Sequence, residues 1–244
     1  MAIKVRRSLL IAYTALGIAL VCIFTIMIQV YIPATKGYFN IGEAAIYILS
    51  MLLPPVASGL SAGLGSSLAD ILTGYLHYAP ATFIIKGLEG YIASTLIRRL
   101  ARLKDRFSRK HSSLLNIPLI AIFSAIVFSK YTGKAEITSF ITFKAKHSIS
   151  VLIWSMIVLA LLIFMTYTAW RNPKAGFYIL CFVLAGLEMV TGYFLYEAYV
   201  LPYFMGIAGF AQALIEVPYN ICQVLVGCFV ASLALKYLQP YISS

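Results

Sequence analysis

Charged side chains stand inside stretches of this sequence that are otherwise apolar. A charge at the centre of a lipid bilayer costs about 2.5–3.5 kcal/mol on insertion scales, so such groups are expected to face a helix bundle's interior or a polar cavity. One lysine, Lys86, is placed in this way. So are six of the eight acidic residues: Glu43, Asp70, Glu89, Glu188, Glu197 and Glu216.

The spacing of these groups favours a shared polar site. Lys86 and Glu89 are three residues apart and fall on one helix face. Asp70 is expected at a similar depth to Lys86, so an ion pair between Asp70 and Lys86 is one interpretation. For each group taken singly, helix–helix hydrogen bonding is the alternative. A polar stripe on the last apolar helix is formed by Glu216, Asn220 and Gln223.

Acids outnumber bases among these groups, which favours a ligand with a cationic or amino-heteroaromatic part. Three segments, 33–43, 75–80 and 196–209, carry aromatic and polar residues suited to a lid. Their rings could stack on a flat ligand, and a belt at the membrane interface is the alternative. The rings in question are those of Tyr38, Phe39, His77, Tyr78 and Tyr199.

Catalytic and cofactor motifs are absent from the sequence. There is no GxxxxGK[ST] phosphate loop, no HExxH, no GxSxG and no Cys/His nucleophile pair. His77 has no second metal ligand at useful spacing, and the four cysteines lie in apolar stretches without metal-binding spacing. We therefore expect no enzyme activity, no metal and no cofactor.

The elements that hold these residues are predicted to be membrane spans. Of the 244 residues, 61% are hydrophobic and only 11% are charged, with a mean hydropathy of +0.91. This composition excludes disordered chains, disulfide-rich secreted modules and ordinary cytosolic enzymes. At about 20 apolar residues per span, and with a break at Pro54-Pro55, eight spans are predicted: 8–32, 43–54, 56–75, 80–98, 114–129, 148–170, 177–198 and 210–235.

The net charge of +11 is interpreted as topogenic charge rather than as a nucleic-acid interface. With both termini in the cytoplasm, most Lys and Arg residues fall on the cytoplasmic side, as the positive-inside rule requires. The basic stretch 98–113 then becomes a cytoplasmic loop. The first apolar run is too long for a signal peptide and has no small-residue cleavage site, so it is predicted to be a retained span.

Small residues indicate where helices approach closely. Gly59, Gly63 and Ser67 recur every four residues within one predicted span. A second small-residue surface lies on the first helix, at Ala15 and Ala19.

Several of these motifs together resemble the substrate-binding S component of energy-coupling-factor (ECF) vitamin importers. The resemblance rests on GYFNIGEAAIYIL and GLSAGLGSSLADILTGYLHYAPATFIIKGLEGYIA within 37–93, and on EMVTGYFLYE and ALIEVPYNICQVLVG near the C-terminus. It covers roughly 8–98 and 177–236. The AxxxA pair at Ala15 and Ala19 is similar to the family's docking surface.

The resemblance implies an all-α membrane bundle of six core helices, over 8–98 and 177–238, with segment 114–170 as an inserted helical hairpin. Such a subunit captures a water-soluble vitamin or precursor at the outer face of a prokaryotic plasma membrane. A transmembrane coupling subunit, docked at Ala15 and Ala19, and two ATPases drive uptake. The expected binding residues are Tyr38, Asn40, Glu43, His77, Tyr78, Lys86, Glu89, Glu188, Tyr193, Glu197, Glu216 and Asn220.

Two other function classes stay open on the sequence. A stand-alone channel or facilitator for a small polar solute would need a continuous polar path, whereas the polar residues cluster in the outer half of the predicted membrane. An integral membrane enzyme would need a nucleophile or metal set. The identity of the vitamin also stays open, among riboflavin, pyridoxine, pantothenate, thiamine and its hydroxymethylpyrimidine precursor.

Overall fold

A computed structural model describes residues 7–101, 135–139, 147–149 and 151–242 of the chain. This part of the protein is mostly helical, with a small β-sheet at one end of the helices. The helices are α1 (Arg7–Met27), α2 (Gly42–Leu52), α3 (Pro55–Thr73), α4 (Ala79–Arg99), α5 (Val151–Arg171), α6 (Pro173–Leu195), α7 (Leu201–Met205) and α8 (Phe210–Ile242).

Prolines and glycines set several helix ends. The predicted break at Pro54-Pro55 separates α2 from α3, and Pro55 occupies the first turn of α3, where its missing N–H costs nothing. Gly74 ends the same helix in the left-handed conformation, with φ of +90°. The side chain of Asn172 caps α6 by accepting hydrogen bonds from two backbone N–H groups.

Three helical stretches among the described residues are long and apolar enough to cross a membrane: Arg7–Met27, Pro173–Met205 and Phe210–Leu238. Two shorter apolar helical stretches are Gly42–Leu52, which is α2, and Leu159–Arg171, which is the C-terminal part of α5. The predicted span 114–129 lies outside the described residues.

The first predicted span, 8–32, is wrong at its C-terminal end. The helix stops at Met27, and the chain continues as strand β1 (Ile28–Ile32), which pairs antiparallel with β2 (Gly37–Asn40). The run IQVYI contains β-branched and aromatic residues, which suit a pleated strand as well as a membrane helix. Composition therefore predicted the apolar character of this run but not its conformation.

The sheet also contains two strands from segment 114–170, which was predicted to be an inserted helical hairpin. Strand β3 (Ala135–Ser139) pairs with the free edge of β1, and β4 (His147–Ile149) pairs with β3, giving the order β2-β1-β3-β4. The expectation of an all-α chain therefore misses a four-stranded sheet. The segment is joined to the core fold by backbone hydrogen bonds at β1.

Helix α3 packs between α1 and α4 through small residues. A Cβ atom added at Gly63 would lie 2.5 Å from the carbonyl oxygen of Phe83 on α4. One added at Gly65 would lie 2.7 Å from the carbonyl oxygen of Ile18 on α1. The predicted small-residue surface at Gly59 and Gly63 is thus a close helix–helix contact with α4.

We expect Gly63→Ala to destabilise the protein by about 1–3 kcal/mol, the usual cost of overpacking, because the new methyl group meets a rigid backbone carbonyl. The matched control is Gly87→Ala on the facing helix, where an added Cβ would lie 3.6 Å from its nearest neighbour, an ordinary contact. Thermal unfolding of the detergent-purified variants measures both effects. Equal losses in the two variants would contradict the assigned packing.

Candidate functional site

A polar cavity of about 20 Å³ lies beneath the β1–β2 hairpin, among helices α1, α3, α4, α6 and α8. This volume is room for about one water molecule. The residues that line it come from distant parts of the chain: Thr25, Gly37, Tyr38, Asn40, Ser66, Asp70, Tyr78, Thr82, Lys86, Tyr193, Glu216, Asn220 and Gln223.

Lys86 supplies the positive charge of this cavity and is almost completely buried. Its ammonium group donates to Glu43 and lies 3.3 Å from Oε2 of Glu89. The hydroxyl of Tyr47 donates to the other oxygen of Glu89 at 2.8 Å. Lys86 and Glu89 thus lie on one helix face, as their spacing predicted, and they also contact each other. The other partner, Glu43, lies on α2, and residue spacing along the sequence did not predict this contact.

The suggested ion pair between Asp70 and Lys86 is wrong. Asp70 instead accepts a hydrogen bond from the hydroxyl of Tyr38 at 2.5 Å. Its second oxygen, Oδ2, is buried and has no hydrogen-bond partner among the described residues. Lys86 is paired with Glu43 and Glu89. Asp70 therefore lines the cavity from α3, and one hydrogen bond, from Tyr38, joins it to the β1–β2 hairpin.

A second pair of acidic side chains, Glu216 and Glu197, lies on the side of the cavity nearest the turn between β1 and β2. The hydroxyl of Thr35, in the turn between β1 and β2, donates to Glu216. The hydroxyl of Tyr78 lies 3.2 Å from the carbonyl oxygen of Thr35 and 3.3 Å from Oε1 of Glu197. All four side chains are buried. The turn of the hairpin is thereby fastened to both carboxylate-bearing helical segments.

A π-helical turn, Tyr196–Val200, carries Glu197. Such turns insert one extra residue into a helix and are frequent at functional sites. Glu197 is fully buried, whereas its neighbour Tyr199 is 60% exposed. Tyr199 therefore lies outside the cavity lining, which contains Tyr38 and Tyr78.

The amide stripe on α8 closes the cavity on another side. Gln223 donates to Asn220 at 2.8 Å and accepts from the backbone N–H of Asn40 at 2.9 Å. The side chain of Asn40 accepts from the N–H of Gly42, which opens α2. The stripe thus joins α8 to the end of strand β2, and Asn220 and Gln223 both line the cavity.

Five predicted site residues are not among those that line the cavity. Glu43 and Glu89 contact Lys86, and Glu197 contacts Tyr78; the other two are Glu188 and His77. Glu188 is only partly buried on α6, and its Oε2 has no hydrogen-bond partner among the described residues. His77 lies in the loop between α3 and α4, with its ring 4.9 Å from that of Tyr78. Burial lowers the pKa of His77; a hydrogen bond to the backbone of Lys36 acts in the opposite direction, and the charge of Lys36 lowers the pKa.

Sequence reasoning missed several hydroxyl groups of the site. Thr25 and Thr82 line the cavity and are buried, and the hydroxyl of Tyr193 donates to that of Thr82 at 3.0 Å. Thr35 lies within the predicted lid segment, yet nothing in its sequence context distinguished it. Threonine is common in apolar helices, so the available signal was weak.

Ala15 and Ala19 lie on the exposed face of α1, opposite the buried Gly17, Val21 and Thr25. Ala15 also lines a wide apolar groove of about 700 Å³ between α1 and α3. This groove contains residues from both helices and from Pro54-Pro55. Both alanines of this small-residue surface are therefore exposed in the described part of the chain.

The side chains around the cavity are suited to binding a small ligand. Carboxylates and amides accept and donate hydrogen bonds around one ammonium group, and the rings of Tyr38, Tyr78 and Tyr193 lie beside them. No three His, Cys, Asp or Glu residues in the described ranges are grouped as metal ligands. A small ligand bound here would be held by directed hydrogen bonds and ring contacts.

The family model of the ECF-type riboflavin transporter S component matches residues 7–169. The chain belongs to this family of membrane transport proteins. An S component is a substrate-binding part of a transporter and not an enzyme, and this agrees with the buried polar cavity. The matched range includes Asp70 and Lys86, whereas Glu197, Glu216 and Asn220 lie beyond it.

One curated relative is a protein of Pyrococcus woesei described as an uncharacterized protein in the gap 3′ region, 40% identical over 72 residues. The alignment covers 30% of this chain, which spans about half of the relative's length (48%). No solved structure matches the chain.

We expect Lys86→Met to lower the free energy of unfolding by about 3–5 kcal/mol, because it leaves Glu43 and Glu89 buried together without their cation. Thermal unfolding of the purified protein measures the loss. The control is Lys174→Met, at an exposed position at the start of α6, which should change little. Similar midpoints for both variants would contradict the buried ion-pair assignment.

Proposed function

We propose that this protein is the substrate-binding subunit of an ECF-type importer, and that it captures riboflavin or a closely related vitamin at the outer face of a prokaryotic plasma membrane. The observation that supports this most strongly is the cavity around Lys86, Asp70 and Glu216, directly beneath a β-hairpin, in a chain of this family. Both termini are taken to be cytoplasmic, which puts the hairpin outside.

The cavity must enlarge before a vitamin can enter. Sites for small organic ligands enclose about 300–1,000 Å³, against the roughly 20 Å³ found here. The β1–β2 hairpin is fastened by hydroxyl groups of Thr35 and Tyr38 to Glu216 and Asp70. Release of these hydrogen bonds would open the site from the outer side. The bound vitamin would then offer its own donors to the same carboxylates.

Riboflavin has a flat ring system with acceptor atoms and a chain of hydroxyl groups. Lys86 is suited to the ring's acceptor atoms, and Tyr38, Tyr78 and Tyr193 are suited to its faces. Buried carboxylates and the amides Asn220 and Gln223 are suited to hydroxyl groups. The family match is what favours a flavin over the other vitamins that the sequence left open; the excess of acidic groups by itself favoured a cationic or amino-heteroaromatic ligand.

Uptake requires energy that the chain does not supply, since its sequence contains no phosphate-binding loop. We propose that a transmembrane coupling subunit docks on α1 at Ala15 and Ala19, and that two ATPase subunits drive release into the cytoplasm. Exposed small residues allow another helix to approach closely.

Purified protein should bind riboflavin at nanomolar to micromolar concentrations, without converting it, and should bind pyridoxine, pantothenate and thiamine more weakly. Quenching of flavin fluorescence gives the affinity directly, and competition gives the others. Asn220→Ala should weaken riboflavin binding by about 1–3 kcal/mol, the cost of an unpaired buried polar group. Product formation would indicate an enzyme, and absence of flavin binding would refute the proposed substrate.

Ala15→Trp and Ala19→Trp should each abolish riboflavin uptake by cells that express the coupling and ATPase subunits, because the bulky ring keeps the partner helix away. Riboflavin binding by the purified variants should be unchanged. Ala211→Trp is the matched control, an exposed alanine at the start of α8, and should leave uptake intact. Loss of binding together with uptake in the α1 variants would refute the docking assignment.

A further inference from the structure

Three buried side-chain oxygens around the cavity have no hydrogen-bond partner among the described residues. They are Oγ1 of Thr25, Oγ of Ser66 and Oδ2 of Asp70. Each of these three side chains is 2% exposed, and each lines the cavity. Buried polar atoms are normally partnered, so three such oxygens around one small space indicate that the space binds a further group.

Two neighbouring helices hold these oxygens in place. Ser66 and Asp70 are one turn apart on α3 and share a helix face. Thr25 continues the buried stripe of α1 that begins with Gly17 and Val21. Helix α1 packs against α3, so the three oxygens lie on adjacent, closely packed helix faces.

The charge balance of the cavity favours a cation over a water molecule as the bound group. Asp70 accepts a hydrogen bond from the hydroxyl of Tyr38 at 2.5 Å, and this donor is neutral. Among the lining residues in the described parts of the chain, the single basic side chain is Lys86, which Glu43 and Glu89 already contact. A buried carboxylate without a counter-charge is costly. A water molecule would satisfy hydrogen bonds alone, whereas a cation also supplies the missing charge.

The size and chemistry of the space fit a small monovalent cation. Its volume of about 20 Å³ has room for about one water molecule, and Na⁺ is no larger than that. Hydroxyl and carboxylate oxygens are hard ligands, which hard cations prefer. A single carboxylate that lacks a counter-charge matches a single positive charge.

We infer that Thr25, Ser66 and Asp70 form a binding site for Na⁺ beneath the closed β1–β2 hairpin. Each side chain supplies one oxygen ligand, and Asp70 supplies the negative charge. The ion joins α1 to α3 and neutralises a carboxylate that Lys86 does not reach. This site goes beyond the proposed function, because it depends neither on the identity of the vitamin nor on a coupling partner.

The test is thermal unfolding of the detergent-purified wild type without any vitamin. NaCl replaces choline chloride at constant ionic strength, so general screening by salt stays the same. Na⁺ at roughly ten times its dissociation constant should raise the unfolding midpoint by about 3–6 °C, because it binds the folded state alone. KCl should give a smaller rise, because K⁺ is larger. Equilibrium binding of radioactive Na⁺ should saturate at one ion for each chain.

Variants of the three ligands assign the site. Ser66→Ala and Thr25→Val each remove one oxygen, and each should raise the Na⁺ concentration needed for the half-maximal shift by about tenfold. Asp70→Asn removes the charge and should abolish the response to Na⁺. The matched control is Ser67→Ala, since the hydroxyl of Ser67 donates to the carbonyl oxygen of Leu64 at 3.2 Å and lies outside the cavity lining. This control should respond to Na⁺ as the wild type does.

Equal midpoints of the wild type in NaCl and choline chloride, with no bound radioactive Na⁺, would overturn the inference and indicate a protonated Asp70 beside a water molecule. An unchanged response in both hydroxyl variants, or an equal loss in Ser67→Ala, would overturn the assigned ligands. If Asp70→Asn does not fold, the two hydroxyl variants decide the result. All of these measurements are made without riboflavin, so their failure leaves the proposed function standing.

Discussion

The burial of one lysine between two glutamates is the interaction on which the site depends. Lys86 of α4 joins α2 through Glu43 and is held on its own helix by Glu89. Such charges are tolerated inside a membrane bundle only when each is paired and hydrogen-bonded. The network continues to Tyr47, which stacks on Phe182 of α6 at 4.6 Å between ring centroids. The floor of the cavity is therefore built from three helices joined by directed contacts.

The side of the cavity formed by the β1–β2 hairpin is held by other kinds of contact. It is a two-stranded hairpin whose turn and second strand touch the helices through hydroxyl and amide hydrogen bonds from Thr35, Tyr38 and Asn40. Each such bond contributes about 0.5–3 kcal/mol in net terms, depending on the charge of the acceptor. This arrangement suits the proposed opening, in which the hairpin moves and the Lys86 network stays in place.

On the proposed function, the two faces of α1 serve different roles, one toward the cavity and one toward a partner. Gly17, Val21 and Thr25 face the bundle, and Thr25 reaches the cavity itself. Ala15 and Ala19 face outward, beside an apolar groove. A partner on this surface would contact a helix whose other side reaches the binding site, so docking and ligand release could influence each other through α1.

Much of this fold could be predicted from the sequence, because unpaired backbone groups and charges are costly in hydrocarbon. Long apolar runs favour helices in a bilayer, the Pro54-Pro55 pair breaks one of these helices, and the few charges must face inward. Hence the helix break at Pro54-Pro55, the close packing at Gly63, the shared face of Lys86 and Glu89 and the buried stripe on α8 could all be predicted. The family resemblance added an interpretation of these features as a vitamin-binding subunit.

Tertiary structure decided which buried groups met. Glu43 rather than Asp70 reached Lys86, because pairing between helices depends on their relative rotation and depth, which spacing within one helix does not contain. The run 28–32 became a strand because a hairpin partner and β3 were available to satisfy its backbone. Glu188 is only partly buried on α6, whereas Glu197 is fully buried. Local patterns specify which faces are polar, but only packing of the whole chain determines what those faces touch.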